Sequence, residues 1–282
     1  MAASSRSKLS VQSPRTRLGK PHFLKDFLQA TQTDEVDSPA VQQAAVKEQV
    51  DSAARETLSE LLWKENAGLA EAAWNTHYIQ VSTSARVGIA FGTLDPNDYG
   101  HYTVQDATYC HASTENLKLL KDEVQNRWLN NFFKGQYESY KDYTQELYDQ
   151  WCLKPGGVDL GAAAKWYVEY ENEVAHDEDP LYYLVAMTPC LRLWPYLANK
   201  MKTDGNYKNS NIYKFWIDEN CSYHSAEEVE AVVNVCSGLG LIDQQKASQI
   251  YRDCMYGEVN FFRSACGEEL LPISPKGVKG RA

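Results

Sequence analysis

Hydrophobic residues recur at helical spacing along most of the chain beyond about residue 50. Residues three or four positions apart fall on one face of a helix and can pack together against a core. Two such sets stand out, Leu58, Leu61, Leu62 and Leu69 near the start, and Leu117, Leu120, Val124 and Trp128 further on. Strand-like alternation between tight turn signals is found nowhere. The pattern therefore predicts an all-α protein.

Capping residues divide this pattern into separate helices. Asp95 followed by Pro96 is typical of a helix start, because Asp accepts hydrogen bonds from free amides and Pro fits the first helical position. Asp159 is predicted to cap a later helix. Ser225 and Glu228 have the spacing of a capping box, which predicts another helix start at Ser225.

Two longer helical segments are predicted between these boundaries. One runs roughly from Asn116 to Trp151 and is ended by Pro155-Gly156-Gly157. The other, from Leu181 to Lys200, is strongly apolar but contains Pro189 and Pro195. Because proline lacks a backbone N–H, we expect both prolines to bend this helix.

The chain divides into three regions by composition. Residues 1–49 are predicted to be an N-terminal extension, whose first 20 residues contain five basic side chains and no acid. That composition is typical of an organellar transit peptide, with a disordered basic tail as the alternative. Residues 50–270 are predicted to form the helical domain, and residues 271–282 a C-terminal tail.

Charge and cysteine usage narrow the class of protein. The net charge of −10 argues against nucleic acid or an anionic membrane surface as the main partner. No apolar run approaches the roughly 20 residues that a membrane span requires. The seven cysteines contain no CxxC pair, and no secretory signal precedes them, so we expect free thiols in an intracellular, cytoplasmic compartment. The extension leaves an organellar location open.

Five residues have the chemistry of a small-molecule site. Asp106 and Tyr109 lie about one helical turn apart, so together they can hold a heteroaromatic ring by hydrogen bonding and stacking. Tyr167 is a further aromatic candidate, Cys190 follows a proline in an apolar helix, and Glu258 is an isolated acid among aromatic residues. Surface acids, a small buried thiol and plain core packing are the alternative interpretations.

Several short motifs occur along the chain in one order. They are Trp74–His77, Gly92-Thr93-Leu94, Gln105-Asp106-x-x-Tyr109, Pro189-Cys190, Ile212-Tyr213-x-x-Trp216-Ile217 and Glu258. In these motifs, over roughly residues 61–265, the sequence resembles the TenA (thiaminase II) family. The resemblance implies a haem-oxygenase-like multi-helix bundle, a homo-oligomer, and hydrolysis of thiamin-related pyrimidines without a cofactor.

The resemblance also implies a role for each candidate residue. Tyr109 would stack on an aminopyrimidine, and Asp106 would bond its amine and ring nitrogen. Cys190 would be the nucleophile that adds to the ring, and Glu258 would donate and accept protons. Tyr167 would line the site. A thiol is a poor nucleophile until it ionises, so Cys190 needs a neighbouring group that favours the thiolate.

Two substitutions depart from the family pattern. Asn220 stands where the family usually has a tyrosine, with Tyr223 as a replacement only in a shifted register, and Trp194 enlarges the wall that follows the cysteine. Both are predicted to contact the ligand. They favour an alternative in which the chain is a non-catalytic binding protein for another aromatic small molecule or pigment.

A third, weaker alternative is an iron-dependent oxidase on the same scaffold. Glu173 and His176 have the spacing used by helical di-iron sites, but no second copy of that spacing occurs. We therefore expect these two residues to form an exposed helix end, and we predict no metal ligands.

Overall fold

The structure is a computed structural model that describes residues 56–80, 86–204 and 207–273. The predicted extension 1–49 lies outside the described residues, as does most of the predicted tail 271–282. The helices run from Leu58 to Ala265, within the region predicted as the helical domain.

The described residues form nine α-helices and contain no β-strand, which confirms the all-α prediction. In chain order the helices are α1 Leu58–Glu65, α2 Ala67–Trp74, α3 Pro96–Glu123, α4 Arg127–Trp151, α5 Ala162–Asp177, α6 Pro180–Thr203, α7 Lys214–Glu219, α8 His224–Gly238 and α9 Gln244–Ala265. A short 3₁₀ helix, Ile89–Phe91, precedes α3. No helix in the described part of the chain is both long and apolar enough to cross a membrane.

The boundary between α3 and α4 differs from the prediction. Asn116 lies inside α3, so the predicted helix from Asn116 to Trp151 is wrong at its start. The side chain of Asn126 accepts a hydrogen bond from the Leu129 amide and thereby caps α4. The Asn130 amide donates back to the Val124 carbonyl at the end of α3. Local side-chain bonds at the turn, rather than a change in hydrophobic spacing, separate the two helices.

Helix starts were predicted correctly where aspartate directly precedes proline. Asp95 caps α3 through a hydrogen bond from the Asn97 amide, with Pro96 as the first helical residue. The predicted cap at Asp159 is wrong, because α5 begins at Ala162 after Gly161. The predicted capping box is also wrong, because α8 begins at His224 and Ser225 already lies within its first turn.

Helix α6 is the central element of the fold. Every residue from Leu181 to Leu191 is buried, which explains the apolar character of this segment. It packs against α5, α7, α8 and α9, and α9 in turn contacts α3 and α5. Side chains from α3, α5, α6 and α9 therefore meet in one interior.

A second contact region joins two motifs that are distant in the sequence. The Asn211 side chain donates to the Ile89 and Ala90 carbonyls at 2.9 and 3.2 Å. Gly92, which follows, has φ +71°, and a Cβ there would lie 2.9 Å from Asn211 Oδ1. Glycine is therefore required for both its conformation and its close approach. The Tyr213 hydroxyl also donates to the Leu94 carbonyl at 2.8 Å, just before α3 begins.

The contact between Gly257 and Tyr167 predicts a measurable loss of stability. A Cβ at Gly257 would lie 2.6 Å from two ring carbons of the fully buried Tyr167. Gly257→Ala should therefore lower the free energy of unfolding by about 1–3 kcal/mol, the usual cost of overpacking. Gly135 in α4 has no neighbour within 4 Å of such a Cβ. Gly135→Ala should raise stability by about 0.5–1 kcal/mol. Urea denaturation of both variants checks this, and equal effects would contradict the contact.

Candidate functional site

Three carboxyl groups lie in the interior without a buried base. Among the described residues that are buried, the only carboxyl or basic side chains are Asp106, Glu171 and Glu258. Their exposed fractions are 4%, 1% and 2%. Buried charges are normally paired, since desolvation makes an isolated ion costly. These three acids must therefore be stabilised by hydrogen-bond donors, by proton uptake or by a ligand.

Glu171 on α5 is hydrogen-bonded to α3. The Tyr109 hydroxyl donates to Glu171 Oε1 at 2.8 Å, and the Ser113 hydroxyl lies 3.5 Å from Oε2. The Tyr109 ring also stacks on Tyr167, with ring centroids 5.0 Å apart and an interplanar angle of 28°. Tyr109 is thus held at its hydroxyl by Glu171 and at one ring face by Tyr167.

The environment of Glu171 favours its neutral form. Burial raises the pKa of Glu171 to about 8, because the carboxylate loses its hydration there. The hydrogen bond from Tyr109 opposes this rise in pKa, and the charge of Glu258 adds to it. The nearby hydroxyls of Tyr167 and Ser113 oppose it more weakly. Two buried carboxyl groups therefore influence each other's protonation.

The Tyr167 hydroxyl is a candidate ligand contact. It is fully buried and has no hydrogen-bond partner of good geometry in the described part of the chain. Burial raises its pKa, and the charges of Glu258 and Glu171 raise it further. A buried hydroxyl without a partner can gain a hydrogen bond from a ligand's polar group.

Cys190 lies on α6 beside the two stacked tyrosines. It is buried, with an exposed fraction of 1%. Burial is the main cause of the raised pKa values of Tyr109 and Tyr167, and Cys190 is a smaller cause of both. It also contributes to the raised pKa of Cys254 on α9. The structure thus brings the predicted thiol and both predicted tyrosines together, with Cys254 as a second buried thiol nearby.

Glu258 on α9 is bonded to the helix that carries the thiol. The indole N–H of Trp194 on α6 donates to Glu258 Oε2 at 3.1 Å. Trp194 belongs to an aromatic wall, with its ring centroid 5.3 Å from Trp216 and 5.9 Å from Tyr102. The substituted tryptophan therefore contacts the predicted acid directly.

Asp106 is buried on α3, one turn before Tyr109, as its helical spacing requires. Its charge contributes to the raised pKa values of Tyr78 and Tyr99, after their own burial. The Tyr78 ring lies 4.5 Å from that of Tyr102, so Asp106 borders the aromatic wall on the side of Tyr78. Asp106 and Glu171 thus have different sets of aromatic neighbours.

Asn220 directly follows α7, and its side chain bonds back to that helix. Its side-chain amide donates to the Trp216 carbonyl at 2.8 Å. Trp216 in turn packs against Trp194 in the aromatic wall. A direct contact between Asn220 and a ligand stays a prediction. Tyr223 was considered above as a substitute hydroxyl. Burial raises its pKa, and Arg192 and Asn199 are the neighbours that lower it.

The sequence analysis missed Glu171 in this region, and it named Gln105 in a motif without giving it a role. Glu171 follows Tyr167 by one helical turn, the spacing that singled out Asp106 and Tyr109, so its position was detectable. Gln105 has a structural role, because its Oε1 accepts the Gly161 amide at 2.7 Å at the start of α5. Such a long-range bond has no local sequence signal.

No group of three or more His, Cys, Asp or Glu in residues 56–80, 86–204 and 207–273 is arranged to hold a metal ion. Glu173 and His176 are exposed in the last turns of α5, as expected. The iron-oxidase alternative therefore has no ligand set in this part of the chain.

Comparison with known proteins identifies the family. The model of the TENA/THI-4/PQQC family matches residues 101–268, more than half of the chain. The chain belongs to this family. Among solved structures it is similar to a TenA homologue from P. horikoshii OT3, with TM-score 0.63 and 14% identity over 74% of this chain and 98% of that one. A TenA homologue from Pyrococcus furiosus gives TM-score 0.59 and 18% identity over 74% and 99%. No curated protein matches.

The TenA-type fold accounts for the helical architecture, but at these identities it does not assign the chemistry. All residues named in the TenA-like motifs from Gln105 to Glu258 fall within the matched range. The activity and the roles of individual side chains must be argued from the site itself.

The raised pKa of Glu171 predicts a pH-dependent stability. Between about pH 4.5 and 8 the folded protein binds a proton at Glu171 that the unfolded chain releases, so stability falls as pH rises. The loss is up to about 1.4 kcal/mol per pH unit. Glu171→Gln should remove this part of the slope, whereas Glu173→Gln, an exposed acid on the same helix, should not. Urea denaturation across this range measures both, and identical slopes for wild type and Glu171→Gln would contradict the assignment.

Proposed function

We propose that this TenA-family chain is a hydrolase of the thiaminase II type, which cleaves the bond between the methylene of an aminopyrimidine and its amine. The observation that carries the proposal is the convergence of Tyr109, Tyr167, Cys190 and Glu258 from four different helices on one buried, aromatic region. A thiol, an acid and two stacked aromatic rings are the groups that this chemistry requires.

Aromatic and acidic side chains bind the pyrimidine. Tyr167 covers one face of Tyr109 and Phe261 lies 6.4 Å from its ring centroid, and the proposal places the ligand ring against the face opposite Tyr167. Asp106, one turn away, accepts hydrogen bonds from the ring amine. Because the buried acids have no buried base beside them, the site favours a neutral or cationic heterocycle rich in donors.

Cys190 starts the reaction by adding its sulfur to a pyrimidine ring carbon. No Lys, Arg or His is buried among the described residues, so no buried cation stabilises the thiolate. The thiol proton therefore passes to the Glu258 carboxylate as the C–S bond forms. The electron pair gained by the ring then expels the amine from the methylene carbon.

Glu258 transfers protons at the leaving group. It protonates the departing amine, which leaves as ammonia, and then accepts a proton from the water that adds to the methylene. Departure of the sulfur restores the ring, and Glu258 returns its proton to the sulfur to restore the thiol. One water is consumed, one ammonia is released, and the aminomethyl group becomes a hydroxymethyl group. The bond from Trp194 holds Glu258 in place for both transfers.

Replacement of the nucleophile tests this mechanism. Cys190→Ala should abolish ammonia release from the aminomethylpyrimidine, a loss of at least about 10³-fold if the thiol forms a covalent intermediate. Cys236→Ala removes another buried thiol, on α8, and should retain activity. Ammonia production by a coupled assay measures both variants. Full activity in Cys190→Ala would refute the assignment of this nucleophile.

A non-catalytic binding protein is the second candidate. One argument for it is that the Trp194 indole, which is bulkier than tyrosine, donates a hydrogen bond to one oxygen of Glu258. Another is that the Asn220 side-chain amide bonds the Trp216 carbonyl of α7. In that case the purified protein should retain an aromatic small molecule and show no turnover. Native mass spectrometry together with an absorption spectrum of the untreated protein distinguishes the candidates. Ammonia release by the wild-type protein would eliminate this one.

A further inference from the structure

Glu171 is a buried acid that the proposed mechanism does not use. It is more deeply buried than Asp106 or Glu258, and it is bonded directly to the ring expected to stack on the ligand. A carboxyl group in such a position costs stability unless it is neutral or well bonded. Its presence is therefore better explained by the site than by core packing.

The hydrogen bond to Glu171 restricts the orientation of Tyr109. A tyrosine ring turns about two side-chain bonds. The bond at its hydroxyl fixes the position of the ring tip, and stacking on Tyr167 limits rotation of the ring plane. The Tyr167 ring, 5.0 Å away, supports only one face. Without Glu171 the Tyr109 ring would keep its stacking partner but lose the bond that holds its hydroxyl end in place.

The groups around Glu171 explain why it holds a proton. Its hydroxyl neighbours are Tyr109 and Ser113 on α3 and Tyr167 on its own helix. The Glu258 charge acts on it from α9, and its own charge acts on Tyr183 of α6 and Cys254 of α9. None of these groups is basic. If Glu171 and Glu258 were both ionised, two like charges would share one buried region. One of them must therefore be neutral at moderate pH.

Resting on the proposed function, we infer that Glu171 is a positioning residue of the site: it fixes the ligand-stacking ring of Tyr109 and stays neutral so that Glu258 can ionise. Glu258 then acts on the reacting atoms, while Glu171 acts on them only through Tyr109 and through the local charge. The site accordingly depends on four acidic or thiol groups rather than three.

Two substitutions separate these contributions. Glu171→Gln keeps an oxygen that accepts from Tyr109 but cannot ionise, whereas Glu171→Ala loses the bond as well. We expect Glu171→Ala to raise KM for the aminomethylpyrimidine about tenfold, as for loss of one buried hydrogen bond. Glu171→Gln should keep KM within about threefold of the wild-type value. It should also lose the decline in kcat/KM that ionisation of Glu171 causes in the wild type above about pH 7.

Further variants provide the controls. Glu173→Gln removes an exposed acid of the same helix and should leave KM and the pH profile unchanged. In a Tyr109→Phe background, which has no hydroxyl to bond, Glu171→Ala should raise KM little further. If Glu171→Ala does not fold, the pH profile of Glu171→Gln alone tests the inference.

Each outcome is decisive. Unchanged KM in Glu171→Ala, or an unchanged pH profile in Glu171→Gln, would overturn the inference. If the wild type binds the aminomethylpyrimidine by calorimetry without hydrolysing it, the proposed function fails, and the dissociation constant replaces KM in the same comparison. A wild type that neither binds nor hydrolyses this compound would overturn both.

Discussion

The structure depends on a constraint that is unusual for a protein interior: three carboxyl groups are buried in an aromatic core, with no buried base among the described residues. Ion pairing is therefore replaced by neutral donors, the Tyr109 hydroxyl for Glu171 and the Trp194 indole for Glu258. Tyrosine suits this role because it supplies both apolar surface and a donor.

Close backbone contacts allow the helices to bring these groups together. The Tyr167 ring reaches the interior only because residue 257, next to Glu258, has no side chain. The start of the same helix, α5, is attached to α3 by the bond between Gln105 and Gly161. Thus α3, α5 and α9 are held at a fixed separation around α6, and small changes at Gly257 or Gln105 would move the site residues together.

The bond between Trp194 and Glu258 distinguishes the two functional candidates most directly. In a hydrolase it orients the acid, and in a binding protein it withdraws that acid from chemistry. Hydrolysis is the stronger proposal, because a buried thiol, two carboxyl groups of linked protonation and the buried Tyr167 hydroxyl lie within one region. A binding pocket for an aromatic molecule needs the rings but not the thiol.

The sequence by itself determined the helical class, the starts at Asp95-Pro96 and the candidate residues Asp106, Tyr109, Tyr167, Cys190 and Glu258, because helical periodicity, caps and short motifs are local properties. It misplaced the break between α3 and α4, where the Asn126 side chain caps the new helix, and the start of α5, which follows Gly161. It also misplaced the start of α8 by placing the cap at Ser225. Only the tertiary structure showed that Tyr109 bonds Glu171 and that Trp194 bonds Glu258. Those partners are separated by 62 and 64 positions in the chain, and no local pattern encodes which buried acid a distant donor will meet.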